Sequence, residues 1–316
     1  MKKRIVWASC AMAWVVSPFA CATVPTESTT ELANPIFWQI DGVSGDGEPN
    51  GQRLYLLGSI HVGPKGGWTL PDSVMKRFEA SKTLVVEIDM RDDANPEDQN
   101  KLILSHGLLP PGESLENHVS ATTYAMLERH TEKSGQSLAD LNPWRAWMIS
   151  TMLMVAELQR LGYPTETGVD VDLMSRVSAR QDIVGLETMD EQLSLLSGMT
   201  SEHQELMLKD MLLQVDDIEL YFDELKEAWR TGDEAGLQDL LFRELAKTPE
   251  LAPFYERVIY ARNETMCEKL ATLLARGDTL FGVVGAYHVT GPRGIPACLK
   301  KRGFRTTRVQ GSGKSH

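Results

Sequence analysis

Residues 54–64 read LYLLGSIHVGP and residues 280–292 read LFGVVGAYHVTGP. Each is an apolar run, then Gly-x-x-His-Val, then Gly-Pro. The runs are short, continuous and closed by glycine, the pattern of buried strands. Glycine at a strand exit lets the chain turn tightly or approach a ligand closely. The histidine three residues on then projects from the carboxyl end of its strand, the edge where open parallel sheets bind ligands. Two such corners on neighbouring strands bring His61 and His288 together. The spacing alone is weak, since Gly313 to His316 repeats it in a polar tail. What distinguishes the first two is their shared surroundings.

From the first corner, the chain reads strand, loop, helix, strand over residues 54–88. Leu70-Pro71-Asp72 opens an amphipathic helix to about Ala80, with proline near its first turn. Thr83–Ile88, TLVVEI, is a continuous apolar strand, completing the order of a βαβ unit. Residues 36–40 supply an earlier strand, and 42–51, rich in Gly and Asp, a hairpin loop. Beyond the second corner come a helix over 295–302 and a last strand over 304–309. The centre reads as helices over 142–161 (opened by Asn142-Pro143), 169–179, 201–230 (a capping box of Ser201 and Gln204), 233–246 and 250–276. One short strand, 182–186, interrupts them. The expected fold class is α+β, α/β-like. Its mixed sheet is built from two strand–Gly-x-x-His–helix–strand units with a large helical insertion.

Glu87 ends the TLVVEI strand. A carboxylate in an apolar strand is costly unless it is paired or ligates a metal. The βαβ order puts it at the same end as His61, on an adjacent strand. Two His and one Glu suit a catalytic metal set with a position left open for water. They equally suit a metal-free acid–base site, and a surface Glu at a strand exit is a third account. Glu187 leaves the 182–186 strand in the same way. Asp170 follows Gly168 at a helix start, where a dipole or capping role accounts for it as well as catalysis does. Arg262 has the fork to clamp a carboxylate or carbonyl oxygen, and Asn263 the amide to steady an oxyanion; surface salt-bridging is the rival account. Trp144 and Trp147 read as core. His106, His118, His130 and His203 read as surface or turn residues.

The first 22 residues form an address. Lys2, Lys3 and Arg4 precede an apolar stretch that ends at Ala20-Cys21-Ala22, the three parts of a signal peptide. Cleavage after Ala22 is expected, with lipid attachment at Cys21 as the alternative. The product is a periplasmic or secreted protein with no transmembrane segment in mature form. Residues 23–34 read as a flexible leader, 35–310 as a single domain and 311–316 as a disordered tail. The 316 residues carry 32 Lys+Arg against 44 Asp+Glu, a net charge of −12. Losing three basic residues with the leader makes the mature chain still more acidic, which argues against a nucleic-acid partner. Of four cysteines, Cys267 and Cys298 remain. In an oxidising compartment they are a disulfide candidate, with two buried thiols as the alternative.

LYLLGSIHVG, the LVVEID strand and VVGAYHVTGP together resemble the TraB/PrgY/GumN family, which includes the animal Tiki proteases. The resemblance spans about 35–310. Gly168-Val169-Asp170, Gly185-Leu186-Glu187 and Arg262-Asn263 resemble patches of its bacterial GumN-like branch. It implies a hydrolase, peptidase-like and dependent on a divalent ion such as manganese, cobalt or zinc, with a peptide or protein substrate. His61, Glu87 and His288 would be the metal ligands, and Glu187 or another carboxylate the general base. Related groups with ester-hydrolysing and haem-handling members imply two other outcomes: a metal-free hydrolase of the erythromycin-esterase type, or a non-enzymatic peptide- or haem-binding or regulatory protein.

Overall fold

Strands β1 (Phe37–Val43) and β2 (Pro49–Ser59) form an antiparallel hairpin, with Ile40 opposite Leu54. In this computed structural model, which describes residues 30–32, 34–91 and 95–310, they belong to a six-stranded mixed sheet. The other strands are β3 (Thr83–Ile88), β4 (Asp182–Glu187), β5 (Thr279–Gly285) and β6 (Arg305–Arg308). The order across the sheet is β4-β3-β5-β2-β1-β6. β4, β3, β5 and β2 run parallel, and β6 pairs antiparallel to β1. The hairpin turn is tighter than the composition of 42–51 suggests. It closes at Ser44 and Glu48, where Ser44 N–H donates to the Glu48 carbonyl at 2.8 Å.

β5 lies between β2 and β3, so β2 and β3 are not adjacent, contrary to the sequence expectation. The crossover through α1 (Asp72–Ala80) leaves a gap one strand wide, and β5 arrives from near the other end of the chain to fill it. The two histidine corners do leave neighbouring strands, with Ser59 opposite Gly285. Every residue of β3 is buried, as the continuous apolar run of an interior parallel strand requires. α1 sets Phe78 edge-on to Phe281, 5.5 Å between ring centroids, with Phe37 on the other side of Phe281 at 5.8 Å. Each such buried ring stabilises by roughly 1.5–3 kcal/mol.

The central helices are α2 (Pro96–Gly107), α3 (Ala121–Ser134), α4 (Ala146–Arg160), α5 (Val169–Ser175), α6 (Met189–Ser197), α7 (Ser201–Gln214), α8 (Ile218–Thr231) and α9 (Glu234–Lys247). Trp147 on α4 is fully buried and Trp144 is half-buried, both against the core. The single helix expected over 201–230 is two, broken by a 3-10 turn at Val215–Asp217. Its cap is Thr200, which accepts from His203 N–H; Gln204 instead donates to the Met199 carbonyl. A capping box does occur, at Thr188 and Glu191 of α6. The helix expected over 250–276 begins with short turns and a π-helical segment, Glu256–Tyr260, before α10 (Ala261–Leu274). Cys267 on α10 is disulfide-bonded to Cys298 on α11 (Ile295–Lys301). Among the described residues no helix is long and apolar enough to cross a membrane. The signal peptide, with Cys21, most of the leader and the tail lie outside the described residues.

Candidate functional site

The strand order decides where the site residues meet. β5 is central, with β2 on one side and β3 on the other. His61 leaves β2, His288 leaves β5 and Glu87 ends β3, so all three arrive at one edge. Both imidazole Nε2 atoms lie 3.8 Å from the same oxygen of Glu87, Oε1. That oxygen also accepts from the Gly285 backbone N–H at 2.6 Å. His61, Glu87 and His288 are all buried.

Each imidazole is oriented from behind. His61 Nδ1 meets Asp170 Oδ2 at 2.5 Å. Asp170 reaches it because α5 starts against the first corner: Val169 N–H donates to the Ile60 carbonyl, and a Cβ on Gly168 would stand 2.8 Å from the His61 carbonyl group. His288 Nδ1 lies 2.6 Å from Asn263 Oδ1, while Asn263 Nδ2 donates to the Arg293 carbonyl at 2.9 Å. The Arg293 carbonyl is an acceptor, so it sets which way the Asn263 amide points. The amide oxygen therefore faces His288, whose Nδ1 must carry the proton. The lone pair of neutral His288 is then on Nε2, where it faces Arg262 Nη1 at 3.2 Å.

Arg262 ties the remaining parts together. Its Nη2 donates to Glu87 Oε2 and to Glu187 Oε2, each at 2.6 Å, and its Nε donates to Glu187 Oε1 at 2.9 Å. Gln192 on α6 donates to Glu187 at 2.9 Å and more weakly to Glu87. Burial disfavours the Glu87 carboxylate, but Arg262, the two histidines and the Gly285 N–H hold it well below the usual carboxylate range. Burial likewise works against the Arg262 charge, and Glu87 and Glu187 more than restore it. Burial pushes His288 down to about 3, with Glu87 opposing and Arg262 and His61 reinforcing. For His61 burial is outweighed by Asp170 and Glu87, so its pKa rises above the ordinary value. Burial raises the Asp170 carboxyl too, against the pull of His61. The dyad therefore retains a proton, while His288 stays neutral.

The six residues singled out from the sequence, His61, Glu87, His288, Glu187, Arg262 and Asn263, form one connected network. Glu187 has both oxygens engaged by Arg262 and Gln192, and Asn263 stands behind His288. Sequence reasoning left Asp170 undecided and missed Gln192 and the Gly285 N–H altogether. Asp170 had a signal in its Gly168-Val169-Asp170 patch; Gln192, on an ordinary amphipathic helix, had none. Of the other histidines, His106 bonds Ser197 and Asp190, and His118 bonds Glu113, away from the site.

A divalent ion has a test to pass here. Among the described residues no three His, Cys, Asp or Glu side chains stand grouped as a metal-binding set. The donor chemistry nevertheless fits. A Cβ built on Gly285 would lie 3.2 Å from His61 Nε2, 3.3 Å from Glu87 Oε1 and 3.6 Å from His288 Cδ2, so the three side chains border one small cradle. Once His61, whose pKa is raised, has released its Nε2 proton, two imidazole nitrogens and a carboxylate oxygen are available as donors. The arrangement behind them, a carboxylate and an amide oxygen on the Nδ1 atoms, is the kind that orients metal-binding imidazoles. The fit has a further requirement: Arg262 Nη1 must give up the His288 Nε2 lone pair.

A sequence model of the TraB/PrgY/gumN family matches residues 43–308. The chain is 23% identical over 263 residues to the uncharacterized protein YbaP of Escherichia coli (strain K12), covering 80% of this chain and 89% of that one. It is 21% identical over 276 residues to an uncharacterized protein of Treponema pallidum (strain Nichols), covering 84% and 80%. It is 25% identical over 302 residues to Metalloprotease TIKI2 of Danio rerio, covering 79% of this chain and 57% of that protein. No solved structure matches.

Proposed function

The chain belongs to the TraB/PrgY/gumN family, and on that premise we propose that it is an exported hydrolase of peptide bonds. Its centre is His61, Glu87 and His288. The observation that carries this reading is the meeting of two oriented imidazole Nε2 atoms on one oxygen of an ionised, buried glutamate. The similarity to Metalloprotease TIKI2 of Danio rerio supports the peptidase direction. A divalent ion held by His61, His288 and Glu87 would polarise the scissile carbonyl and acidify water.

The chain's own groups have separate tasks. Asp170 fixes the His61 ring so that Nε2 faces Glu87; in the metal-free form of the reaction that nitrogen exchanges a proton with water or with the leaving amine. Asn263 keeps the His288 lone pair on Nε2. Arg262, locked by Glu187, keeps Glu87 ionised and aimed. Burial of the whole set excludes bulk water and strengthens each interaction. The Cys267–Cys298 disulfide supports an oxidising compartment. With the basic and apolar leader, it favours a periplasmic or secreted protein cleaved after Ala22, folded as one domain over 35–310.

The test is elemental analysis of the mature protein, combined with peptide-library cleavage with and without a chelator. We expect manganese, cobalt or zinc near one per chain and cleavage that the chelator abolishes. His61→Ala and His288→Ala should each abolish metal uptake and cut cleavage by at least about 100-fold while the fold persists. Absence of any metal binding sinks the ion. Cleavage that survives chelation supports a second reading, a metal-free acid–base hydrolase, which the His61–Asp170 dyad and the Arg262–His288 contact favour. Absence of cleavage altogether sinks the hydrolase.

A further inference from the structure

A cavity of about 40 Å³ opens directly beside the site. His61, Gly285 and His288 form its catalytic side. Its other walls are apolar, including Phe222 and Leu225 from α8, Trp229 from the end of the same helix and Leu237 from α9. These walls are fixed. Trp229 donates its indole N–H to the Gly58 carbonyl at 2.9 Å and packs edge-on to Trp68, and Phe222 packs edge-on to Tyr163. The cavity is therefore preformed.

One polar group in it is unexplained. Ser59 lines the cavity two residues before His61. It is 2% exposed, and among the described residues its hydroxyl meets no hydrogen-bond partner. A buried hydroxyl left without a partner is costly, and such exceptions call for a role. An apolar pocket with one convergent polar group is the form of a small-ligand subsite.

We propose that this cavity is the subsite for a branched aliphatic side chain of the substrate, with the Ser59 hydroxyl bonding that residue's backbone amide. This rests on the hydrolase reading above and names the residue class that it selects. Size argues for it: at ~10–15 Å³ per water-sized group, the cavity takes about three or four, the heavy-atom count of a valine or leucine side chain. An indole is too large. An ammonium would be buried with no counter-charge among the residues that line the cavity. Continuity with His61 and His288 places the filled side chain next to the bond to be cut.

Two measurements test this. In the first, peptides differing at one position are compared by kcat/KM. Valine and leucine should exceed glycine, lysine and tryptophan by at least tenfold. Leu225→Ala should shift the preference toward phenylalanine, and Leu225→Phe toward alanine. Ser59→Ala should raise KM about tenfold, the weight of one neutral hydrogen bond, with kcat unchanged and Tm unchanged or raised; a purely structural serine would lower Tm and leave KM alone. In the second, N-acetyl-leucinamide and N-acetyl-glycinamide are titrated into the wild-type protein by calorimetry. Binding of the leucine amide alone, lost in Leu225→Phe, is expected. Equal binding of both amides, binding of neither, or a flat peptide preference overturns the subsite. Selective binding without any cleavage leaves the subsite standing and removes the hydrolase.

Discussion

Arg262 reaches two carboxylates and an imidazole from the first turn of α10. Arg262→Ala would strand Glu87 and Glu187 as buried charges without their cation. The expected loss is about 3–5 kcal/mol, read by denaturant titration; a variant as stable as wild type would mean that the network is not formed. Arg262→Lys should recover little, because an ammonium cannot bond both carboxylates with the geometry of the guanidinium fork. The two histidines should separate cleanly by NMR titration. His288, pushed down to about 3, should stay neutral from pH 5 to 8, and His61 should titrate above its ordinary value. A raised His61 contributes stability fully below the unfolded imidazole pKa and loses that contribution as pH rises through its folded pKa. A depressed His288 costs stability as pH falls below the unfolded value, because the unfolded chain takes up a proton that the folded one refuses. Asp170→Asn should bring the His61 midpoint down; an unmoved midpoint would exclude the dyad.

The short helix α5 matters for where it begins. Gly168→Ala would place a methyl group 2.8 Å from the His61 carbonyl group, against backbone that cannot yield. The helix start must shift, carrying Asp170 away from His61. We expect the His61 midpoint to fall as in Asp170→Asn, though no ionisable group has been changed. The π-helical segment at Glu256–Tyr260 sits just before Arg262, and such segments recur at functional sites; the Arg262–Val258 carbonyl bond at 3.1 Å ties the side chain to it. Among the helices away from the site, Glu205 on α7 accepts from Ser120 N–H at 3.0 Å, from its hydroxyl at 2.5 Å and from the Thr123 hydroxyl at 2.6 Å. Burial opposes its ionisation, and these donors win, lowering its pKa. A depressed carboxyl stabilises above its unfolded pKa and loses that contribution as pH falls through the folded value. Glu205→Ala should therefore cost about 1–2 kcal/mol near pH 7, discounted for its partial exposure, and less in acid, where the carboxyl takes up its proton. Urea titrations under the two conditions check this.

The disulfide closes a loop of 31 residues that contains the second histidine corner. Constraining the unfolded chain in this way is worth about 3–4 kcal/mol in the loop-entropy account. Reduction should lower the melting temperature by several degrees, and thiol titration of denatured, unreduced mature protein should find no free thiol. Two free thiols in exported protein would remove the bridge. The net charge of −12 acts on the molecule as a whole. It opposes binding to polyanions and is compatible with a cation at a site of carboxylates and imidazoles, without by itself implying one.

Strand exits, glycine corners and the acid at the end of TLVVEI were legible because each is a local pattern: an apolar period, a backbone that must turn, a charge out of place. That was enough for the α+β class and for His61, Glu87 and His288 as a group. The helix break at Val215–Asp217 was not legible, because neither Gly nor Pro marks it; the irregular stretch before Ala261 had a signal in Pro253, inside the expected helix. The strand order was not legible either, since an apolar strand reads the same in any interior slot. Only the folded chain placed β5 between β2 and β3, and it is this placement that gathers the site. Asp170 is 109 residues from His61, and Arg262 is 175 from Glu87. Contacts across such separations leave no periodicity in either segment. The residue types came from the sequence; which of them share a proton, a counter-charge or a cavity wall was decided by packing.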